Sequence, residues 1–210
     1  MSAFEKSVFI NCPFDNTYRP LLRPLLFTVI YLGFTPRIAL ETLDSGKPRI
    51  DKIIALIKAS KYAIHDLSRA QARKEGEYFR LNMPFELGAD VGCRLFGGGK
   101  WSKKKCLILE AKNYRYQAAL SDLSGSDIAV HGNKPIEVSS QVRNWLNNQA
   151  KLKANGPAEV WGRFNDFMAY NYDDLKRRGF SDANIKNLPV DELIESMTDW
   201  VSKFTRRSSA

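Results

Sequence analysis

Four short apolar runs, each bounded by turn or polar residues and each followed by a stretch of helical period, constrain this chain more than any other feature. They are Ser7 to Ile10, Thr35 to Leu40, Tyr62 to His65 and Lys105 to Leu109, with a weaker fifth at Asp127 to His131. Strand and helix alternating in this way imply right-handed crossovers and a parallel sheet covered on both faces. The expectation is a doubly wound α/β sheet in the order 2-1-3-4-5.

The helical stretches carry their own punctuation. Leu21 to Leu32 places Leu22, Leu25, Leu26, Val29 and Ile30 on one face, enters through Pro20 and closes at Gly33. Pro24 is tolerable there if it lies in the first turn. Pro48 to Ser60 repeats Ile50, Ile53, Ile54 and Ile57. A third helix is expected from Pro84 to Phe96, stopped by three glycines, and a fourth from Pro135 to Leu152 with Val138, Val142, Trp145 and Leu146 inward.

From Asn155 onward strand signals stop. Ala158 to Arg178 and Val190 to Phe204 read as helices, joined through a turn in which Ser181 and Asp182 have N-cap chemistry and Leu188-Pro189 marks a break. The chain therefore divides into an α/β domain, 1–153, and a C-terminal helical module, 154–210, suited to recruiting a partner or a second copy.

Composition narrows the compartment and the partners. Three cysteines, widely spaced and without a C-x-x-C pattern, point to reduced thiols and to no metal site. The N-terminus lacks the apolar core of a signal peptide, and Leu25 to Phe34 is far shorter than the roughly 20 residues that span a bilayer, so a cytoplasmic protein without a membrane segment is expected. The net charge of +9 invites polyanions. The lysines and arginines are scattered, however, where duplex binding wants a basic stripe on one face, which argues against a nucleic-acid partner.

In an open parallel sheet, ligands bind beyond the carboxyl ends of the strands, where the winding direction reverses. Here that is the mouth between strands one and three. Asn11, Cys12 and Asp15 follow the first strand, Asp66, Ser68 and Arg69 follow the third, and the loop from Glu41 to Lys47, with Ser45, can fold over them. Asp15 and Asp66 also read as helix caps or turn formers. Glu86 stands apart, because Pro84 near the start of the third helix puts its carboxylate in the first turn, where the helix dipole favours the ionised form by roughly 0.3–1 kcal/mol. Gly88, costly inside a helix, suggests close approach of a ligand or strand.

An ionised carboxylate in a polar mouth suits cleavage of an N-glycosidic bond, whose transition state is a ribosyl oxocarbenium cation. NAD releases nicotinamide from a cationic ring and needs no proton donor, whereas a neutral base leaves better with one. His65 and Asp66 are the neighbouring candidates, and strand alternation sends them to opposite faces.

Val8-Phe9-Ile10-Asn11 followed by Pro13-Phe14-Asp15 resembles the opening strand and loop of Toll/interleukin-1 receptor (TIR) domains. Phe85-Glu86-Leu87-Gly88 resembles both the TIR helix with its catalytic glutamate and the Glu-x-Gly segment of nucleoside 2-deoxyribosyltransferases, in which Asp66 matches the preceding aspartate. The resemblance covers about residues 6 to 132. It implies a flavodoxin-like fold, Glu86 and Asp66 as catalytic carboxyls, and Asn11, Asp15, Ser45, Ser68, Arg69 and Asn82 as the substrate-binding lining. It further implies NAD as substrate rather than cofactor, and a place in bacterial antiphage defence. Departures stand beside it: Asn82, Met83 and Pro84 occupy positions where TIR domains carry a tryptophan and a small residue, and Asn11-Cys12-Pro13 replaces the tyrosine and glycine-proline loop of the transferases. A module that binds a nucleotide signal without cleaving it is the alternative reading, and a nucleic-acid-associated protein the third.

Overall fold

The computed structural model describes residues 2–40, 46–69, 75, 80–113, 115, 120–123 and 125–208. A single capped turn, α1 (Ala3–Lys6), opens the chain, with Ser2 and Glu5 each accepting from the other's backbone N–H. The strands are β1 (Ser7–Asn11), β2 (Thr35–Arg37), β3 (Tyr62–Asp66), β4 (Lys105–Glu110) and β5 (Ile128–Val130). They form one sheet in the order β2-β1-β3-β4-β5 with every neighbour parallel, so the doubly wound, flavodoxin-like arrangement expected from the sequence is the one the chain adopts.

Strand bounds differ from the apolar runs for a physical reason. β1, β3 and β4 each extend one residue further, to Asn11, Asp66 and Glu110, because ladder hydrogen bonds use the backbone and are indifferent to side-chain polarity. β2 stops at Arg37 instead of Leu40; it is an edge strand and contains Pro36, which has no N–H to donate.

The helices are α2 (Arg19–Tyr31), α3 (Arg49–Ala59), α4 (Asn82–Phe96), α5 (Pro135–Gln149), α6 (Pro157–Arg177), α7 (Asp182–Lys186) and α8 (Val190–Ser208). Strand alternation sorts the sheet into two faces. Val8, Ile10, Tyr62, Ile64, Leu107 and Leu109 pack with α2 and α5, while Phe9 and Ala63 pack with Ile53 and Ile57 of α3.

The C-terminal helices share the larger core. Phe27 of α2 meets Phe164 and Phe167 of α6 and Trp200 of α8, and Val190, Leu193, Met197 and Val201 of α8 lie buried in the same cluster. Burying each such side chain contributes roughly 1.5–3 kcal/mol. As a result α2, expected to be apolar on one face, is buried nearly all round, from Leu21 to Ile30 with only Arg23 excepted. Pro24 lies at its sixth residue, past the first turn, so the Pro20 carbonyl loses its partner four residues on. In α7 the expected Ser181 cap is present and reciprocated by Asn184.

Two expectations for the other face are corrected. Ile50 and Ile54 are exposed, because α3 presents only the narrow stripe of Ile53 and Ile57 to the sheet. Trp145 of α5 turns inward as expected, half-buried in a T-shaped contact with the Tyr62 ring. Helix α4 starts at Asn82, two residues before Pro84, which places Glu86 in the second turn. Among the described residues no helix is long and apolar enough to cross a membrane.

Candidate functional site

The mouth is built at the carboxyl ends of β1 and β3, adjacent strands whose connections leave toward opposite edges of the sheet. Asn11 and His65 are paired across the ladder and, by alternation, share the face of Phe9 and Ala63 beneath α3 and α4. Asn11 Nδ2 donates to the Met83 carbonyl at 2.9 Å and faces His65 Nδ1 at 3.1 Å. Because a carbonyl only accepts, the amide NH2 must lie on that side, so His65 Nδ1 accepts and the imidazole proton sits on Nε2. That nitrogen points at Asp90 Oδ2, 3.3 Å away. Asp90 Oδ1 is 2.9 Å from Lys104 Nζ, which also donates to the carbonyls of Ile57 (2.8 Å) and Ser60.

These groups form one buried chain across four elements. Lys104 places a cation on the carbonyls of Ile57 and Ser60 at the end of α3, where the helix dipole favours it, and ion-pairs with Asp90. Burial pushes the Asp90 carboxyl up, but the hydrogen bond from His65 and the charge of Lys104 outweigh it and hold the group below its ordinary value. At the far end Asn11 pins the first turn of α4 through Met83.

Glu86 lies on the same inner side of α4, one turn before Asp90, and is 4 % exposed. Among the described residues nothing hydrogen-bonds or ion-pairs with its carboxyl. Burial pushes its pKa up to about 7, against the pull of the Arg49 guanidinium. The sequence-based expectation of a carboxylate held ionised in a first turn is therefore corrected: Glu86 is beyond the reach of the dipole and titrates near neutrality. A Cβ built on Gly88 meets nothing within 4 Å, so among the described residues no strand makes the close approach that this glycine suggested.

Asp66 belongs to the opposite face and is fully enclosed. Tyr18 Oη donates to its Oδ2, the Ser68 backbone N–H donates to Oδ1 at 2.8 Å, and His131 Nε2 stands 3.3 Å from Oδ2. His131 Nδ1 accepts from the Asn133 backbone N–H at 3.0 Å, which leaves its proton on Nε2, the nitrogen nearer Asp66. Burial pushes the Asp66 carboxyl up, yet His131, Ser68 and Tyr18 together hold it below its ordinary value. Asp66 is thus a fixed anion joining β3, α2 and the end of β5. The expectation that it acts as a second catalytic carboxyl is corrected by this geometry, because it is sealed from the mouth and has no proton to give.

The remaining expected residues divide. Asp15 is the turn former: it accepts from the backbone N–H groups of Thr17 and Tyr18 at 2.9 and 3.0 Å and pairs with Arg80 at 2.6 Å, tying the loop after β1 to the entry of α4. Ser68 is buried with its hydroxyl unpartnered, and its carbonyl accepts from Arg115, which also grips Glu110. Arg69 keeps a buried, unpartnered Nε, and Asn82 is exposed at the first residue of α4. Ser45, with most of the loop expected to cover the mouth, lies outside the described residues. Cys12 is the meeting point: burial, then the charges of Asp66, Glu86 and Asp15, keep its thiol protonated.

Asp90, Lys104, Tyr18 and His131 were missed by sequence reasoning. Only Asp90 carried a signal, an acid four residues after Glu86 on an otherwise apolar helix. Among the described residues no group of three or more His, Cys, Asp or Glu is placed to hold a metal ion. Comparison of the chain with protein-family models, with curated proteins and with solved structures gave no match. The fold and the mouth together define a flavodoxin-like α/β protein with a buried, unpartnered glutamate at the reversal of winding.

Proposed function

We propose that the protein hydrolyses the N-glycosidic bond of NAD or a closely related nucleotide, with Glu86 stabilising the ribosyl cation. The observation that carries this reading is the Glu86 carboxyl itself, buried at the mouth with no partner of its own. The surroundings narrow the substrate. His65 has both ring nitrogens engaged and Asp66 is an enclosed anion, so among the described residues neither supplies a proton to a leaving group. A neutral base would need that proton, whereas nicotinamide departs with the electrons of its C1′–N bond from an already cationic ring. The substrate's positive charge also draws Glu86 into its ionised form. Water then adds to C1′ and releases a proton, giving nicotinamide and ADP-ribose.

Purified wild type and Glu86→Gln, incubated with NAD and separately with deoxynucleosides over a range of protein concentrations, test the reading. Nicotinamide release by wild type alone is expected, with kcat/KM rising with pH through about 7 as Glu86 deprotonates. Release of free base from deoxynucleosides would overturn the NAD assignment. Binding of NAD without product at any concentration would make this mouth a nucleotide-signal receptor instead.

A further inference from the structure

Helix α4 is apolar on its outer side as well as its inner one. Its inner side carries Leu87 beside Glu86 and Asp90, while Leu81, Phe85, Gly88, Gly92 and Leu95 follow one another at three- and four-residue spacing, with Phe96 next to Leu95, on the side opposite Asp90. No residue of that stripe is charged, and Phe96 is 88 % exposed. Ile50 and Ile54 continue the patch onto α3, and between the two helices runs a groove of about 420 Å3 lined by Ile54, Ala89, Gly92, Cys93, Phe96 and Trp101.

The patch has the size and the symmetry of half a homodimer interface. The six large side chains Ile50, Ile54, Leu81, Phe85, Leu95 and Phe96 leave between 37 and 88 % of their surfaces open. Together they present apolar surface on the order of 600 Å2, at the top of what a monomer tolerates and close to the roughly 800 Å2 per partner of a standard interface. Along the stripe, large residues flank two glycines, and the order is nearly the same read in either direction: Phe85 mirrors Leu95 and Gly88 mirrors Gly92 about residue 90. A two-fold axis requires such a self-complementary patch. Among the described residues the glycines serve no close packing, since a Cβ at Gly88 meets nothing within 4 Å and one at Gly92 only the Phe96 ring at 3.8 Å. They leave room for a second helix backbone.

We infer that α4 is a dimerisation helix: two copies of this chain pair outer face to outer face across a two-fold axis near residue 90, with Phe85 of each copy entering the groove beside Gly92 and Phe96 of the other. The helices run antiparallel and cross closest at the glycines. Lys58 in the groove wall, with Lys100 over the Trp101 ring, gives each half a basic rim, so the two copies repel electrostatically while their apolar faces attract. Salt therefore tightens this dimer, whereas it would weaken the hold of an acidic partner on the same face.

Sedimentation velocity on the full chain, from low micromolar to several hundred micromolar and at low and high salt, tests the inference. Wild type is expected to show a concentration-dependent dimer that strengthens with salt. Phe85→Glu and Phe96→Glu should each weaken it at least tenfold. Gly88→Leu should weaken it equally while keeping or raising the melting temperature of the monomer, because leucine suits an exposed helix better than glycine. A wild type that stays monomeric at every concentration and salt, or a dimer that survives all three substitutions, overturns the inference.

Discussion

Helix α4 packs on the sheet beside α3, whereas α8 packs on α2 in the opposite layer, and the two differ in what they turn inward. In α8 Val190, Leu193, Met197 and Val201 point inward and its carboxylates outward, so burial alone accounts for its position. In α4 two carboxyls point inward and its phenylalanines outward. The difference teaches that α4 is held by a polar chain, Asn11 to Lys104, that substitutes for part of an apolar core. That costs stability and leaves a buried, unpartnered carboxyl, Glu86, on the inner side.

The largest effect should come from breaking that chain. Lys104→Met leaves the enclosed Asp90 without its cation and the end of α3 without its cap, and should cost about 3–5 kcal/mol in urea unfolding. A loss under about 1 kcal/mol would show that the ion pair does not hold α4. The matching test on α8 is Met197→Ala, expected to cost about 3 kcal/mol, set against Leu95→Ala on the outer face of α4, expected to stay within about 0.5 kcal/mol in the monomer. Equal losses at the two positions would remove the contrast.

Glu86 sharpens the comparison through pH. Its folded pKa of about 7 lies above the ordinary 4.5, so the folded protein binds that proton more tightly, and stability is lost as pH rises through this window. Glu86→Gln should therefore stabilise the protein by about 2–3 kcal/mol at pH 8 and by nothing below about pH 4. Asp66 and Asp90, held below their ordinary values, act with the opposite sign and lose their contribution in acid, in wild type and variant alike. Urea midpoints of the two proteins at the two pH values isolate Glu86. The smallest effect is at Gly88, where alanine should add about 0.5–1 kcal/mol to the monomer, measured by thermal unfolding.

Much of the fold was legible because its signals are local. Ser181 announced the cap of α7, and the apolar runs announced β1, β3 and β4 to within a residue. Glu86 was legible from its place just after Pro84 near the start of an expected helix, and the opposite facing of His65 and Asp66 followed from alternation. The all-round burial of α2 was not legible, because its outer cover comes from α6 and α8, more than a hundred residues later. Nor was the role of Lys104, one of three consecutive lysines, of which only this one turns inward.

The sequence by itself determined the strand-helix alternation, the strand order and the single glutamate worth watching. Periodicity is written residue by residue, and the crossover rule leaves few ways to wind five parallel strands. Only the tertiary structure decided which carboxyls are anchors and which is free. Asp66 meets Tyr18 across 48 residues, Asp90 meets His65 across 25, and Lys104 meets Ile57 across 47. Protonation follows from burial and from partners at such separations, and neither exists until the chain has closed.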